Sequence, residues 1–265
     1  MQLHPDTRDE EHIGTRDLTR WPSALGRQLA RLAIALSGWV TANVVLAILV
    51  TAAAALVVGL TVASAEIYEA VYDGSGIARW DRPTLDAAIG SRTTTNTQAL
   101  TFFTHLGGPL WMTVIAAAIT LTMTLVWRSW TPLMLMLIGV AGSLLMTTVG
   151  KDLVGRVRPP QADAVPPYEV SPSFPSGHTL NSTVIAGLVA YLLLRRLRSK
   201  RARALTVVLA ISWAVAMGLS RVFLGHHWLT DVAVGWTLGL AWVGAIILAH
   251  RLFLTVRRSR QAAET

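Results

Sequence analysis

Residues 108–150 read GPLWMTVIAAAITLTMTLVWRSWTPLMLMLIGVAGSLLMTTVG, with one charged side chain, Arg128, in 43 positions. A helix rises ~1.5 Å per residue and the hydrocarbon core of a bilayer is ~30 Å thick, so this run is long enough to cross twice. Arg128 marks the turn between two spans, 108–127 and 129–150. Working outward, mostly apolar runs without formal charge recur at 32–65, 177–194, 204–220 and 232–250. The expected fold class is therefore all-α: a polytopic membrane protein of six transmembrane helices with a helical-bundle core. Residues 1–31 are expected to form a cytoplasmic N-terminal segment, 32–250 the six-span domain and 251–265 a cytoplasmic basic tail.

Composition agrees with this. The chain has 265 residues, 52% hydrophobic and 14% charged, against about a quarter charged in soluble domains, which sets aside disorder, collagen and an ordinary soluble fold. The 23 Lys+Arg against 15 Asp+Glu give +8, which in a bilayer protein reports basic loops on one side rather than nucleic-acid binding. Cysteine is absent, and with it disulfides, thiolate nucleophiles and Cys-based metal sites.

The basic residues orient the spans. Arg16, Arg20, Arg27 and Arg31 precede span one, Arg128 separates spans two and three, Arg195 to Arg203 separate four and five, and Arg251 to Arg260 follow span six. With six spans these all fall on one side, which the positive-inside rule makes cytoplasmic, with both termini. The outer side then carries loops 66–107, 151–176 and 221–231. Each holds Lys or Arg that does not serve orientation, and an anionic ligand is the obvious reason. In the first of these loops a short interfacial helix is expected near 85–89. The second, with Pro166, Pro167, Pro172 and Pro175, should be stiff and non-helical.

Three clusters in these loops carry chemistry. Lys151 and Arg158 are seven apart, about two helical turns, so a helical segment would put both on one face toward one anion before Pro159 and Pro160 stop it; the same pair also fits cations snorkelling toward lipid phosphates. Pro175-Ser176-Gly177-His178 stands where a Pro-rich loop meets an apolar helix, whose free N–H groups at Ser176 and Gly177 would cradle an anion beside the His178 ring. An ordinary Ser N-cap fits equally well. In Ser220-Arg221-Val222-Phe223-Leu224-Gly225-His226-His227-Trp228-Leu229-Thr230-Asp231, His227 and Asp231 are four apart and share a helix face, so the carboxylate can fix the imidazole tautomer and leave the other nitrogen free to attack. His226 would point about a hundred degrees away, toward packing or a headgroup.

Taken in order, Lys-x6-Arg-Pro, Pro-Ser-Gly-His and Ser-Arg-x5-His-x3-Asp resemble the three-part signature of the phosphatidic acid phosphatase type 2 superfamily, the lipid phosphate phosphatases that share an active site with vanadium haloperoxidases. The match runs from Lys151 to Asp231 at every motif position, and six spans agree with the membrane branch. The resemblance implies that His227 attacks phosphorus to form a phosphohistidine, Asp231 orients it, and His178 protonates the leaving oxygen and later activates water. Lys151, Arg158, Arg221 and the Ser176 and Gly177 N–H groups would hold the phosphoryl oxygens. One oriented base, a second histidine and three cations suit phosphoryl transfer on physical grounds too, with no metal or other cofactor needed.

Two other readings use the same residues: a vanadate-dependent haloperoxidase, against which the apolar spans count, and a non-catalytic anion-binding or transport protein, against which the His–Asp pair counts. The expected substrate is a lipid phosphate or diphosphate in the outer leaflet of a plasma membrane. Undecaprenyl diphosphate comes first, followed by phosphatidic acid and phosphatidylglycerol phosphate. The preponderance of Arg over Lys and the abundance of Ala point to a bacterial source.

Overall fold

A computed structural model of the protein describes residues 11–37, positions 44, 51 and 59, and residues 76–263. The expected first span, 32–65, lies outside the described residues except at its start and those three positions, as do 1–10 and the beginning of the first outer loop.

Among the described residues there are eight α-helices and one small hairpin. The hairpin pairs β1 (His12–Ile13) with β2 (Arg16–Asp17). Helix α1 (Ala24–Ser37) follows, then α2 (Asp81–Gly90), α3 (Thr94–Leu106), α4 (Pro109–Trp127), α5 (Thr131–Val154), α6 (Gly177–Arg196), α7 (Lys200–Phe223) and α8 (Leu229–Ala263). Five of these, α4 to α8, are long and apolar enough to cross a membrane, and they coincide with expected spans two to six. Their ends follow from local chemistry. Pro109 and Pro132 stand in the first turns of α4 and α5, where a missing N–H costs nothing. Arg128 closes α4 in the left-handed conformation at φ 50°. The Thr93 hydroxyl accepts from the Asn96 N–H (3.2 Å) while the Asn96 side-chain Oδ1 accepts from the Thr93 N–H (2.8 Å), a reciprocal cap that starts α3.

The short helix expected near 85–89 is part of α2, and a second helix, α3, follows it in the first outer loop where the Thr93–Asn96 cap restarts a helix. The helix of the last span continues past His250. Residues 251–263 hold no helix breaker, so α8 runs on unbroken, and Leu252, Leu254 and Val256 are buried. Ala30 and Ala33 of α1 pack against Leu252 and Val256 there.

Helix α6 is the hub of the bundle. Its buried positions lie all round it, as expected of a helix enclosed by others, with Leu180, Val184, Leu188 and Leu192 packed against Met136 and Met146 of α5 and Leu238, Trp242 and Ile246 of α8. By contrast α4 and α7 expose Leu121, Leu125, Val126, Leu205, Leu209 and Ile211, apolar faces that suit contact with lipid. Glycines bring the inner helices close: a Cβ on Gly142 would stand 2.3 Å from the Trp242 ring, and Trp242 itself donates from Nε1 to the Gly139 carbonyl (3.1 Å). Gly142→Ala must therefore displace Trp242, and it is expected to lower stability by about 1–3 kcal/mol, read as a fall in the thermal midpoint in detergent with the KM of the surviving activity unchanged.

This packing brings the C-terminal ends of α5 and α7 and the N-terminal ends of α6 and α8 to one end of the bundle. The loop 155–176 and the elbow between α3 and α4 close over that end.

Candidate active site

Helix α5 ends at Gly155, left-handed at φ 59°, a conformation that stops the helix. Lys151 thus lies in its last turn, whereas Arg158 sits beyond it in the chain that leads into Pro159. The expectation of one shared helix face is overturned, yet the two side chains still converge. Lys151 Nζ donates to Ser171 Oγ (2.9 Å) and to the Pro172 carbonyl, and Arg158 Nε donates to the Ser171 carbonyl (2.7 Å).

The third motif differs in the same way. Helix α8 starts at Leu229, so His227 precedes it and only Asp231 is in its first turn. The reversal is made by Gly225, at φ 72°, where a Cβ would meet the Asp163 carbonyl oxygen at 2.4 Å. Behind the turn the N–H groups of His226 and His227 both donate to the Arg221 carbonyl (3.0 and 3.3 Å). His227 is nonetheless beside its expected partner, with Nδ1 3.4 Å from Asp231 Oδ2.

That carboxylate is tightly held. Its Oδ2 accepts from the Trp228 N–H (2.9 Å) and from the Ser173 hydroxyl, and its Oδ1 accepts from Arg156 Nη1 (2.5 Å). Ser173 Oγ is also 3.4 Å from His227 Nδ1. On the other side of the ring, Nε2 faces Arg158 Nη1 at 3.2 Å. A guanidinium can only donate, so Nε2 carries the lone pair and Nδ1 the proton. Burial pushes the His227 imidazole down to about 4, overriding the hydrogen bond and opposite charge of Asp231, with smaller repulsion from Arg158 and Arg221. It is neutral at neutral pH and suited to nucleophilic attack.

Around Nε2 stands a cluster of cations, and an anion already occupies it. Glu169 bridges Arg158 Nη2 (2.7 Å from Oε2) and Arg221 Nη2, and lies 3.7 Å from His226 Nδ1. Burial opposes its ionisation, but His226, Arg221 and Arg158 hold it well below the usual carboxylate range. Arg221 also donates to Thr104 Oγ1 of α3 (3.0 Å). Glu169, Arg221 and His226 line a cavity of about 400 Å³ that His178 enters from α6 and that Gly108 and Trp111 bound at the α3–α4 elbow. His178 Nε2 is 3.7 Å from where a Gly108 Cβ would be. His226 does not point away from the site: its Nε2 is 2.9 Å from the Val165 carbonyl, which ties the ring to the outer loop.

One expected ligand group is already engaged. The Ser176 N–H donates to the Asp231 carbonyl (3.2 Å), and its buried hydroxyl accepts from Thr179 Oγ1 (2.9 Å). The start of α6 therefore offers an anion its N–H groups at Gly177, His178 and Thr179, ahead of the first intrahelical bond from the Leu180 N–H to the Ser176 carbonyl.

The sequence reading did not single out Asp81, Thr104, Arg156, Glu169 or Ser173. Glu169 left a signal, as one of two acids, with Asp163, in the Pro-rich stretch that follows Arg156 and Arg158. Among the described residues no group of three His, Asp or Glu side chains is placed to hold a metal ion.

Comparison with known proteins fits this arrangement. The family description "PAP2 superfamily" matches residues 132–254, which include every motif residue above. Phosphatidylglycerophosphatase B of Bacillus subtilis (strain 168) is 34% identical over 145 residues, 54% of this chain and 70% of that protein. The crystal structure of a transmembrane PAP2 type phosphatidylglycerolphosphate phosphatase from Bacillus subtilis superposes with a TM-score of 0.59 at 28% identity, covering 76% of this chain and 96% of the other. A sequence relative and a solved fold that both bear phosphatase names, matched over the helices that build this site, establish that the chain is a multi-pass membrane phosphatase belonging to the PAP2 superfamily.

Proposed function

We propose that the protein removes the terminal phosphate of a lipid through a phosphohistidine on His227, and that phosphatidylglycerol phosphate is its substrate. The observation that carries the mechanism is the neutral His227 ring, backed by Asp231 on one nitrogen and facing Arg158 on the other. On the sequence alone undecaprenyl diphosphate comes first. Likeness to phosphatidylglycerophosphatase B moves phosphatidylglycerol phosphate ahead of it.

In this reading the incoming phosphate takes over Arg158 and Arg221 from Glu169, with Lys151 and the first N–H groups of α6 around it. Losing its bond to Arg158 frees the Nε2 lone pair. The N–P bond forms as the P–O bond to the lipid alcohol breaks, and His178 supplies the proton that the departing oxygen needs. Asp231 offsets the positive charge that grows on the imidazole. Water then attacks the phosphohistidine, His178 takes its proton, and orthophosphate leaves. The fixed guanidinium groups stabilise the equatorial oxygens, where charge rearranges most.

The basic ends of the spans support a site on the extracytoplasmic side of a bacterial plasma membrane, with both termini cytoplasmic. A lipid enters laterally between the elbow and the loop 161–172. The reading is tested by phosphate release in detergent and excess EDTA across phosphatidylglycerol phosphate, phosphatidic acid, undecaprenyl diphosphate and a soluble ester. Preferred turnover of phosphatidylglycerol phosphate, inhibited by vanadate, is expected, and a requirement for added Mg²⁺ would overturn the mechanism.

The resident carboxylate carries its own prediction. Because phosphate and Glu169 compete for the same two guanidinium groups, Glu169→Gln should tighten orthophosphate inhibition about tenfold, a gain of ~1.4 kcal/mol. A weaker inhibition constant would mean that Glu169 holds the cations in place for phosphate rather than excluding it.

A further inference from the structure

We propose that Asp81 and Arg156 are positioning residues for Asp231, and that Asp81 keeps Asp231 negatively charged toward His227 by taking one arm of the Arg156 guanidinium. The inference rests on the assignment of His227 and Asp231 made above.

The three side chains form a buried ladder. Arg156, Asp81 and Asp231 are 9%, 6% and 0% exposed. Arg156 donates from Nη2 to Asp81 Oδ2 (2.7 Å), and from Nη1 to Asp231 Oδ1 (2.5 Å) and Thr230 Oγ1 (2.7 Å). Asp81 in turn accepts the Thr230 N–H on Oδ1 (2.9 Å) and the Thr230 hydroxyl on Oδ2 (2.7 Å). The guanidinium lies over the Trp228 ring at 5.5 Å, and Trp228 is anchored through Nε1 to the Val157 carbonyl (2.9 Å). The first turn of α2, the loop after α5 and the first turn of α8 thus meet at one cation.

Two features of this ladder bear on the reaction rather than on the fold alone. The first is geometric. Arg156 Nη1 donates to Oδ1 of Asp231, and Oδ2, the oxygen 3.4 Å from His227 Nδ1, is turned toward the imidazole. Asp81 holds the second arm of Arg156, which could otherwise turn to Asp231 in the usual two-pronged way, while Oδ2 is kept by the Trp228 N–H and the Ser173 hydroxyl.

The second feature is charge. Two carboxylates share one guanidinium, so the ladder keeps one net negative charge in a site where an uncompensated charge is costly. The matching positive charge is the one that develops on His227 when its Nε2 bonds to phosphorus. Asp81 is 149 positions from Thr230 in the chain and belongs to the first outer segment, where the motifs of the sequence do not reach.

Asp81→Asn tests this with little change of shape, since the amide oxygen can still accept from Thr230. It is expected to lower kcat by roughly 10–100-fold, the scale associated with groups that orient an active-site ligand. KM, the orthophosphate inhibition constant and the thermal midpoint should stay within about twofold or a few degrees of wild type, because the phosphate cradle is built from other cations. Arg156→Met alone leaves two buried acids facing each other and should be the more damaged variant. Combining it with Asp81→Asn should restore part of the lost stability but not kcat. Unchanged kcat in Asp81→Asn, or a fall in kcat matched by a raised KM and a lost midpoint, would reduce the ladder to a helix clamp. His227→Ala is assayed beside them: if it keeps activity, the assignment of the nucleophile fails, whereas its inactivity with a normal Asp81→Asn overturns this inference only.

Discussion

His227→Ala should lower lipid phosphate release by at least about 10³-fold. The ring is 1% exposed and is fixed from both sides, by Arg158 at Nε2 and by Asp231 and Ser173 at Nδ1. No neighbour can replace it, since His226 is held by the Val165 carbonyl and His178 approaches from α6. Truncation leaves a cavity, so His227→Gln, closer in volume, serves as the folding control. Both variants should keep the thermal midpoint within a few degrees and still bind orthophosphate, because Arg158 and Arg221 remain. Near-normal release by either would remove His227 from the chemistry.

His178→Ala should show a dependence on the leaving group. With a lipid alcohol as leaving group the loss of its proton donor is expected to cost about 10²–10⁴-fold. An aryl phosphate such as p-nitrophenyl phosphate leaves as a stable phenolate and needs no proton, so formation of the phosphoenzyme should be nearly spared. Its hydrolysis would still lack a base. The variant should therefore release a burst of about one aryl alcohol per chain and then turn over slowly. Equal losses on both esters, with no burst, would assign His178 to binding rather than to proton transfer.

The positions of spans two to six were legible because charge is so sparse: Arg128 alone divides α4 from α5, and the five expected apolar runs from 108 onward coincide with α4 to α8. Motif membership was legible as well, for spacing in the chain survives whatever the backbone does between the residues. The backbone itself was harder to read. A seven-residue interval looked like two helical turns, but Gly155 and Gly225 are left-handed, and each takes a motif residue off its helix. A single glycine can do this without changing the apolar pattern around it. The polar shell was least legible. Asp81 and Glu169 lie far along the chain from the groups they touch, and only the fold brings Asp81 to Arg156 or Glu169 to Arg221. The helix α3, which supplies Thr104, was hidden because its Thr-rich start reads as a loop until the Thr93–Asn96 cap is considered.

The phosphoenzyme is the most direct test of the account. Wild type and His178→Ala, mixed rapidly with phosphatidylglycerol phosphate or an aryl phosphate and quenched at alkaline pH to spare an acid-labile P–N bond, would be digested and examined by mass spectrometry. A single added phosphoryl group on His227 is expected, accumulating in His178→Ala with the aryl phosphate and absent from His227→Ala with either substrate. Full turnover with no adduct at any time, or an adduct on His226 or His178 instead, would contradict it.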